Sequence, residues 1–372
     1  MTAPPEWDRE ADQDLVSRWP GARGKKGEKY YENQGGYQEL EASRHSEEAH
    51  VSASNRCDSS FPTDSARSGC RRTGTVNLAL PSRSFQMAIF PLANERGYMR
   101  EEGIDLRPIL IRPVTSIQAM LSGDIQFTMA GTSALVAATR GVPVKVILAV
   151  NDQVLQWVLS KQEISSPRSL KGKRIATSGL AAAATFMTKQ VLAKHGLDPG
   201  RDAIYIEMRS SAERLQALIA GAVDAAILGV EERYRALEAD LRELIYIGSE
   251  VRNSWGTLAT TDKMIREKPK IVGSFIRASL KALRLIRQER DAAVSMMVQF
   301  SGLSRPVASR VYHDLIGTFS RDGTVDEETQ KNDLAIIRQV TGATGAIAIS
   351  QAYDFRFARE ADRQLTQAGW RP

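Results

Sequence analysis

The sequence predicts an α/β protein of two lobes, with mostly parallel sheets flanked by helices, a helical C-terminal third and a disordered N-terminal tail. Three observations predict it. Strand-like and helix-like stretches alternate over 75–150 and again over 174–228. A Ser-Ser-Pro segment within 163–168 separates the two series, and a strand at 256–261 leads back to the first. From 264 to the end the apolar spacing is helical. The lobes expected from this order are 75–162 plus 256–372, and 163–255, with a cleft between them.

The first 74 residues show no sustained apolar period of 2 or 3.6 and are crowded with Arg, Lys, Glu, Ser, Asn and Gly, as a disordered tail would be. Acidic side chains slightly outnumber basic ones there, so the surplus behind the net charge of +6 belongs to the folded remainder. That surplus is spread without a Lys/Arg block or interleaved aromatics. It makes a poor nucleic-acid footprint and suits solubility or small anionic ligands. Both cysteines, Cys57 and Cys70, lie in the tail, so the folded part has no thiol for a disulfide or a metal. His45, His50, His195 and His313 show no ligand spacing, and no metal or cofactor is expected. No run of eighteen apolar residues offers a membrane span, and the N-terminus lacks the basic start and apolar core of a signal peptide.

Taken in order, Val76-Asn77-Leu78-Ala79-Leu80 alternates as a strand that Pro81 ends. A helix over 84–101 follows, then a strand at 104–111, a short helix at 116–121 and a strand at 125–129. Gly131-Thr132-Ser133 reads as a cap for the next helix, with a hydroxyl placed to accept from its first turn. Gly141-Val142-Pro143 breaks that helix, and 144–150 is continuously apolar, as a buried strand is. One more strand, at 153–161, precedes the crossing.

The second series runs strand 174–177, helix 181–195, strand 203–208, helix 211–220 and strand 224–228. Gly196 and Gly221 stand just past the helices, as C′ residues do. Strands at 244–247 and 256–261 and helices at 264–290, 291–300, 304–317, 327–340 and 357–367 complete the chain. Within 170–185 a strand stops at Ser178-Gly179 and an alanine-rich helix begins. Small residues at such a turn leave the first N–H groups of the helix reachable, so a ligand oxygen can take them. Ser178, Gly179 and the first turn to Thr185 are therefore candidate contacts.

Six stretches together resemble a known family. They are Ala93-Asn94-Glu95-Arg96-Gly97-Tyr98-Met99-Arg100-Glu101-Glu102-Gly103-Ile104-Asp105-Leu106, Met120 to Phe127, Arg140 to Val146, Leu170 to Ile175, His195 to Pro199 and Ala217 to Ala226. In this order they are similar to the substrate-binding proteins of ABC transporters for sulfonates, nitrate-type anions and thiamine pyrimidines, the group called NMT1/THI5-like. The tail has no counterpart in that group, and the helical C-terminal third matches only in type. The resemblance implies the type 2 periplasmic binding protein fold. It also implies a monomer that closes on a small polar or anionic molecule and delivers it to a permease subunit, outside the cytoplasmic membrane. No export signal is read in this N-terminus, so a cytoplasmic location stays open.

In such proteins ligand is expected at the loops after the strands, here 82–85, 131–133, 178–185, 208–211 and 229–231. Ser82, Thr132, Ser133 and Ser178 offer hydroxyls, Phe85, Trp157 and Trp255 apolar walls, and Arg83 and Arg209 charge for an anion; Glu231 closes the last loop. Two other readings stay open. An enzyme of the same fold, a pyrimidine synthase, would need a cysteine-rich iron-binding segment and a reactive histidine, which 75–372 does not offer near a cleft loop. A ligand-sensing regulator would need a helix-turn-helix in front.

Overall fold

A computed structural model describes residues 74–372, apart from Ala181, Arg209, Thr344 and Ala346. The expected tail and the candidate Arg209 lie outside the described residues. Among the described residues ten strands form two five-stranded sheets. They are β1 (Gly74–Leu80), β2 (Ile104–Leu110), β3 (Phe127–Thr128), β4 (Val144–Asn151), β5 (Trp157–Ser160), β6 (Lys173–Thr177), β7 (Ala203–Glu207), β8 (Ala225–Leu228), β9 (Arg242–Tyr246) and β10 (Trp255–Thr261). The first sheet has the order β2-β1-β3-β10-β4 and the second β7-β6-β8-β5-β9.

In each sheet four strands share a direction and one runs against them. β1 pairs parallel with β2 and β3, while β10 pairs antiparallel with β3 and β4. β6 pairs parallel with β7 and β8, while β5 pairs antiparallel with β8 and β9. The opposed strand is in each case the one that arrives from the other lobe, β5 after β4 and β10 after β9. This corrects the expected division, which kept 153–161 in the first lobe. Val158 faces Ile227 and Ile245 across the second sheet, so the first crossing lies at 152–156. Alternation shows that a stretch is half-buried; it does not say which sheet it joins.

Two expected helices are each broken. The 84–101 stretch is a 3₁₀ turn Phe85–Met87, a helix Ile89–Glu95 and a helix Tyr98–Glu101, with Gly97 at φ 77° between the last two. The 264–290 stretch divides into Asp262–Glu267 and Pro269–Gln288, because Pro269 has no N–H to continue the first and suits the first turn of the second. The Val230–Glu238 helix was not expected at all. Helix Pro269–Gln288 buries Val272, Phe275, Ile276, Leu280 and Leu283 against the first sheet, and Phe275 stacks on Phe127 at 4.3 Å. Each such side chain contributes about 1.5–3 kcal/mol by leaving water. One apolar cluster runs from Leu78 and Phe127 across to Trp157, Leu228 and Tyr234, so the two lobes share a core at the crossings.

Helix Glu327–Thr341 spans the back of the second crossing. Its Ile337 packs in a first-lobe cluster with Val144 and Leu135, and its Ile336 in the second-lobe cluster with Val158 and Ile175. Between them Asp333, 4% exposed, receives hydrogen bonds from Asn253 Nδ2 at 2.7 Å, Ser254 N at 3.0 Å, Ser254 Oγ at 2.6 Å and Tyr353 OH at 2.6 Å. Arg252 adds ion pairs to Asp326 and Glu328, both at 2.7 Å. The chain entering β10 is thus fastened to a helix that touches both lobes. Burial pushes the Asp333 carboxyl up to about 6 despite those four bonds, which pull the other way.

Candidate functional site

A cavity of about 520 Å³ lies where the strand ends of the two sheets face each other, within the range of about 300–1,000 Å³ usual for small-molecule sites. Parallel α/β sheets bind at these ends because the helix N-termini that follow point there. A larger groove of about 940 Å³ runs between the Glu327–Thr341 helix and the chain around Tyr353 and Arg356. It lies away from the strand ends, and the cleft is therefore the candidate site.

The first-lobe wall starts with the loop after β1. Ser82 Oγ and Ser84 Oγ bond each other at 2.8 Å, and Phe85 N–H donates to Glu231 Oε1 at 2.9 Å. The Phe85 ring turns inward, fully buried and edge-on to Phe319 at 5.0 Å. Next comes the turn after β3, where Thr128 Oγ1 accepts from Ala130 N–H at 3.1 Å and bonds Ser116 Oγ at 2.9 Å. Helix Gly131–Thr139 starts here with Ala130 as its N-cap and no side-chain cap. Thr132 and Ser133 therefore stand inside the first turn instead of capping it, which corrects the expected role. The first N–H groups of this helix are left for other acceptors.

The second-lobe wall is the start of helix Val230–Glu238, with Glu231 and Glu232 in its first turn, together with Ser211, Arg214, Leu155 and Gln156. Arg214, 5% exposed, donates from Nε to Ile227 O at 2.7 Å and from Nη1 to Met208 O at 2.8 Å, holding together the ends of β8 and β7. Trp255, Gly256 and Thr257, at the start of β10, complete the lining. Burial raises the Glu231 carboxyl, opposed by the bond from Phe85 N–H, and neighbouring Glu232 raises it further.

Of the candidates, Ser82, Arg83, Thr132, Ser133, Glu231 and Trp255 come together around this cavity. Phe85 reaches it only through its backbone. Ser178, Gly179 and Thr185 do not line it. Thr185 is fully buried; its hydroxyl donates to Gly179 O at 2.7 Å and bonds the Thr177 hydroxyl, so it braces its own turn. Gly179 faces the Glu207 side chain of edge strand β7, off the middle of the sheet where β8 ends. Trp157 is 1% exposed, stacked on Tyr246 at 4.8 Å and covered by the Arg233 guanidinium at 4.8 Å. It is core, as large aromatics at a strand start usually are.

Besides Glu231, helix Val230–Glu238 ties the lobes at Tyr234, whose OH donates to Asp314 Oδ2 at 2.7 Å on the first-lobe helix Arg305–Leu315. Tyr234→Phe is expected to lower stability by about 1 kcal/mol, read as a lower denaturant midpoint with an unchanged slope. Gln86, Arg214, Glu232 and Gln156 are lining residues that sequence reasoning passed over. Only the unread helix Val230–Glu238 carried a signal, with Val230, Tyr234, Leu237 and Leu241 at helical spacing.

Comparison with known proteins agrees with this architecture. The riboflavin-binding protein RibY of Chloroflexus aurantiacus is 24% identical over 229 residues, 58% of this chain and 63% of that protein, so the match spans less than two thirds of the relative. The alkanesulfonate-binding protein SsuA from Xanthomonas axonopodis pv. citri, bound to MOPS, superposes with a TM-score of 0.60 at 19% identity, covering 76% of this chain and 98% of that one. The desulfurization enzyme DszB superposes with a TM-score of 0.58 at 14% identity, covering 78% and 99%. Both structural likenesses establish the two-lobed periplasmic binding protein fold. The NMT1/THI5-like family model matches residues 84–293, more than half of the chain and all of the cleft's strand-end loops but the first, and the chain belongs to that family.

Proposed function

We propose that this protein is the solute-binding component of an ABC importer, closing its two lobes on a small polar organic molecule and delivering it to a permease. The observation that carries this reading is the cleft itself, a ligand-sized cavity at the strand ends with the Glu231–Phe85 hydrogen bond joining its two walls. A ligand that touches both walls binds the closed arrangement better than the open one, and closure follows from that difference. The relatives' ligands, riboflavin and sulfonates, define the classes to try, with nitrate and pyrimidines beside them. An extracytoplasmic site of action accords with the same relatives. No helix among the described residues is long and apolar enough to cross a membrane.

Thermal shift of the full-length chain against MOPS, nitrate, cytosine, aromatic acids and riboflavin tests the proposal. A ligand at 100 times its Kd is expected to add about 2.7 kcal/mol of stability. Chromatography of the same mixtures should recover the bound compound unchanged. A melting temperature unmoved by every compound, or consumption of the one that binds, would count against solute binding; consumption would favour an enzyme of this fold.

A further inference from the structure

The chemistry of the cleft walls narrows the ligand class, an inference that rests on the solute-binding reading. Of the cations in the cavity's lining, Arg83 and Arg235 are exposed, while Arg214 is buried and holds the Ile227 and Met208 carbonyls. The first-lobe wall carries buried polar atoms that lack a partner and can accept a hydrogen bond. Gln86 is 8% exposed, lines the cavity and leaves Oε1 unpaired, and Ser301 Oγ, also in the lining, is unpaired as well. A buried acceptor without a donor costs free energy, so a ligand that supplies the donor recovers it. Facing them from the second lobe are two carboxyl groups, Glu231 and Glu232, of which Glu231 already bonds across the cleft.

A sulfonate has oxygens only, all acceptors, and a permanent negative charge. It can satisfy the helix N-terminus at Gly131 and pair with the exposed Arg83 or Arg235, yet it brings no donor to Gln86 Oε1 or Glu231 and sets its charge beside two carboxyl groups. An amide or lactam edge carries a carbonyl for the helix N-terminus and an N–H for the acceptors. We propose that the ligand presents amide, lactam or amino N–H groups to Glu231 and Gln86, and that Glu231 is the residue that selects such molecules over sulfonates. The raised Glu231 carboxyl agrees with this, because a desolvated carboxylate gains from an arriving donor.

The test titrates the full-length protein with riboflavin and cytosine as N–H-bearing probes and with methanesulfonate and ethanesulfonate as sulfonates, in wild type, Glu231→Gln and Gln86→Met. Wild type is expected to bind an N–H-bearing probe and to bind both sulfonates at least about 10-fold more weakly. Glu231→Gln is expected to weaken the N–H-bearing probe about 10- to 100-fold and to bind the sulfonates more tightly than wild type does. Gln86→Met should weaken the same probe without improving the sulfonates, and it carries the test if Glu231→Gln does not fold by circular dichroism. A wild type that prefers a sulfonate or nitrate overturns the selection and leaves solute binding standing. So does a folded Glu231→Gln protein with unchanged affinity for the N–H-bearing probe. No binding to any probe or to the wider panel overturns the solute-binding reading first, and this inference with it.

Discussion

Asp333→Leu is expected to destabilise the protein by about 3–5 kcal/mol, while Asp333→Asn is expected to be neutral or stabilising near neutral pH. Leucine leaves Asn253 Nδ2 and the Ser254 N–H buried without an acceptor, and strands the Ser254 and Tyr353 hydroxyls beside them. Asparagine fits the same cage. Its Oδ1 can accept from Asn253 and Ser254 N–H as the carboxylate Oδ1 does, and its Nδ2 can donate to the two hydroxyls, which turn to accept. It does so without a buried charge. Urea unfolding of the two variants decides the matter, and equal losses for both would refute this account of the node.

The same residue makes stability depend on pH. Folded, Asp333 holds its proton up to about 6, against 3.8 for an ordinary aspartate. The folded state therefore binds more protons in that window, and the carboxyl's contribution is fully present below 3.8 and lost as pH rises through about 6. Its size is on the order of 2–3 kcal/mol. The stability of Asp333→Asn relative to wild type should accordingly grow by that amount as pH is raised across the window. Two parallel pH curves would sink the assignment. Because Ser254 leads directly into Trp255, Gly256 and Thr257 of the cavity, Asp333→Leu should also weaken ligand binding, whereas Asp333→Asn should not.

Much of this architecture was legible in the chain, and the residues show where reading stopped. The strands at 76–80, 104–111 and 174–177 stood out because apolar side chains are bounded by Pro81, Gly103 and Gly179, and local punctuation is a local property. Ser82, Thr132, Ser133 and Glu231 could be placed at the cleft because loops after parallel strands gather there. Sheet membership was not legible. Trp157 to Ser160 looks the same in either lobe, and only pairing with β8 and β9 assigns it. Neither was the offset of 178–185, which depends on β6 lying beside an edge strand. Gln86 and Asp333 are ordinary polar residues of helix-like stretches. Their importance comes from burial, which is set by segments 80 or more positions away: Asp333 is bonded by Asn253, and Gln86 lies against Gly256.

The cleft floor gives the second large effect. Gly131→Ala is expected to cost about 1–3 kcal/mol or more and to weaken ligand binding, although alanine is ordinarily the better residue in a helix. Gly131 opens helix Gly131–Thr139 hard against β10, where a Cβ would run into Thr257 Oγ1 and approach both Thr257 Cβ and Thr257 O to 2.7 Å. The hydroxyl could swing aside; the backbone carbonyl belongs to a strand paired with β3 and β4 and cannot. Helix and strand must therefore part, carrying with them the open N–H groups, Thr132, Ser133 and Thr257 that line the cavity. Thr257→Ala in the same chain should recover only part of the loss, because it removes the hydroxyl and leaves Cβ and the carbonyl in place. A control at Gly123, where a Cβ meets nothing within 4 Å but φ is 93°, separates crowding from backbone strain. Gly123→Ala should lower the melting temperature while leaving ligand affinity unchanged, whereas Gly131→Ala should reduce both. Unchanged ligand affinity in a folded Gly131→Ala protein would show that the strand-end cavity is not where the ligand sits.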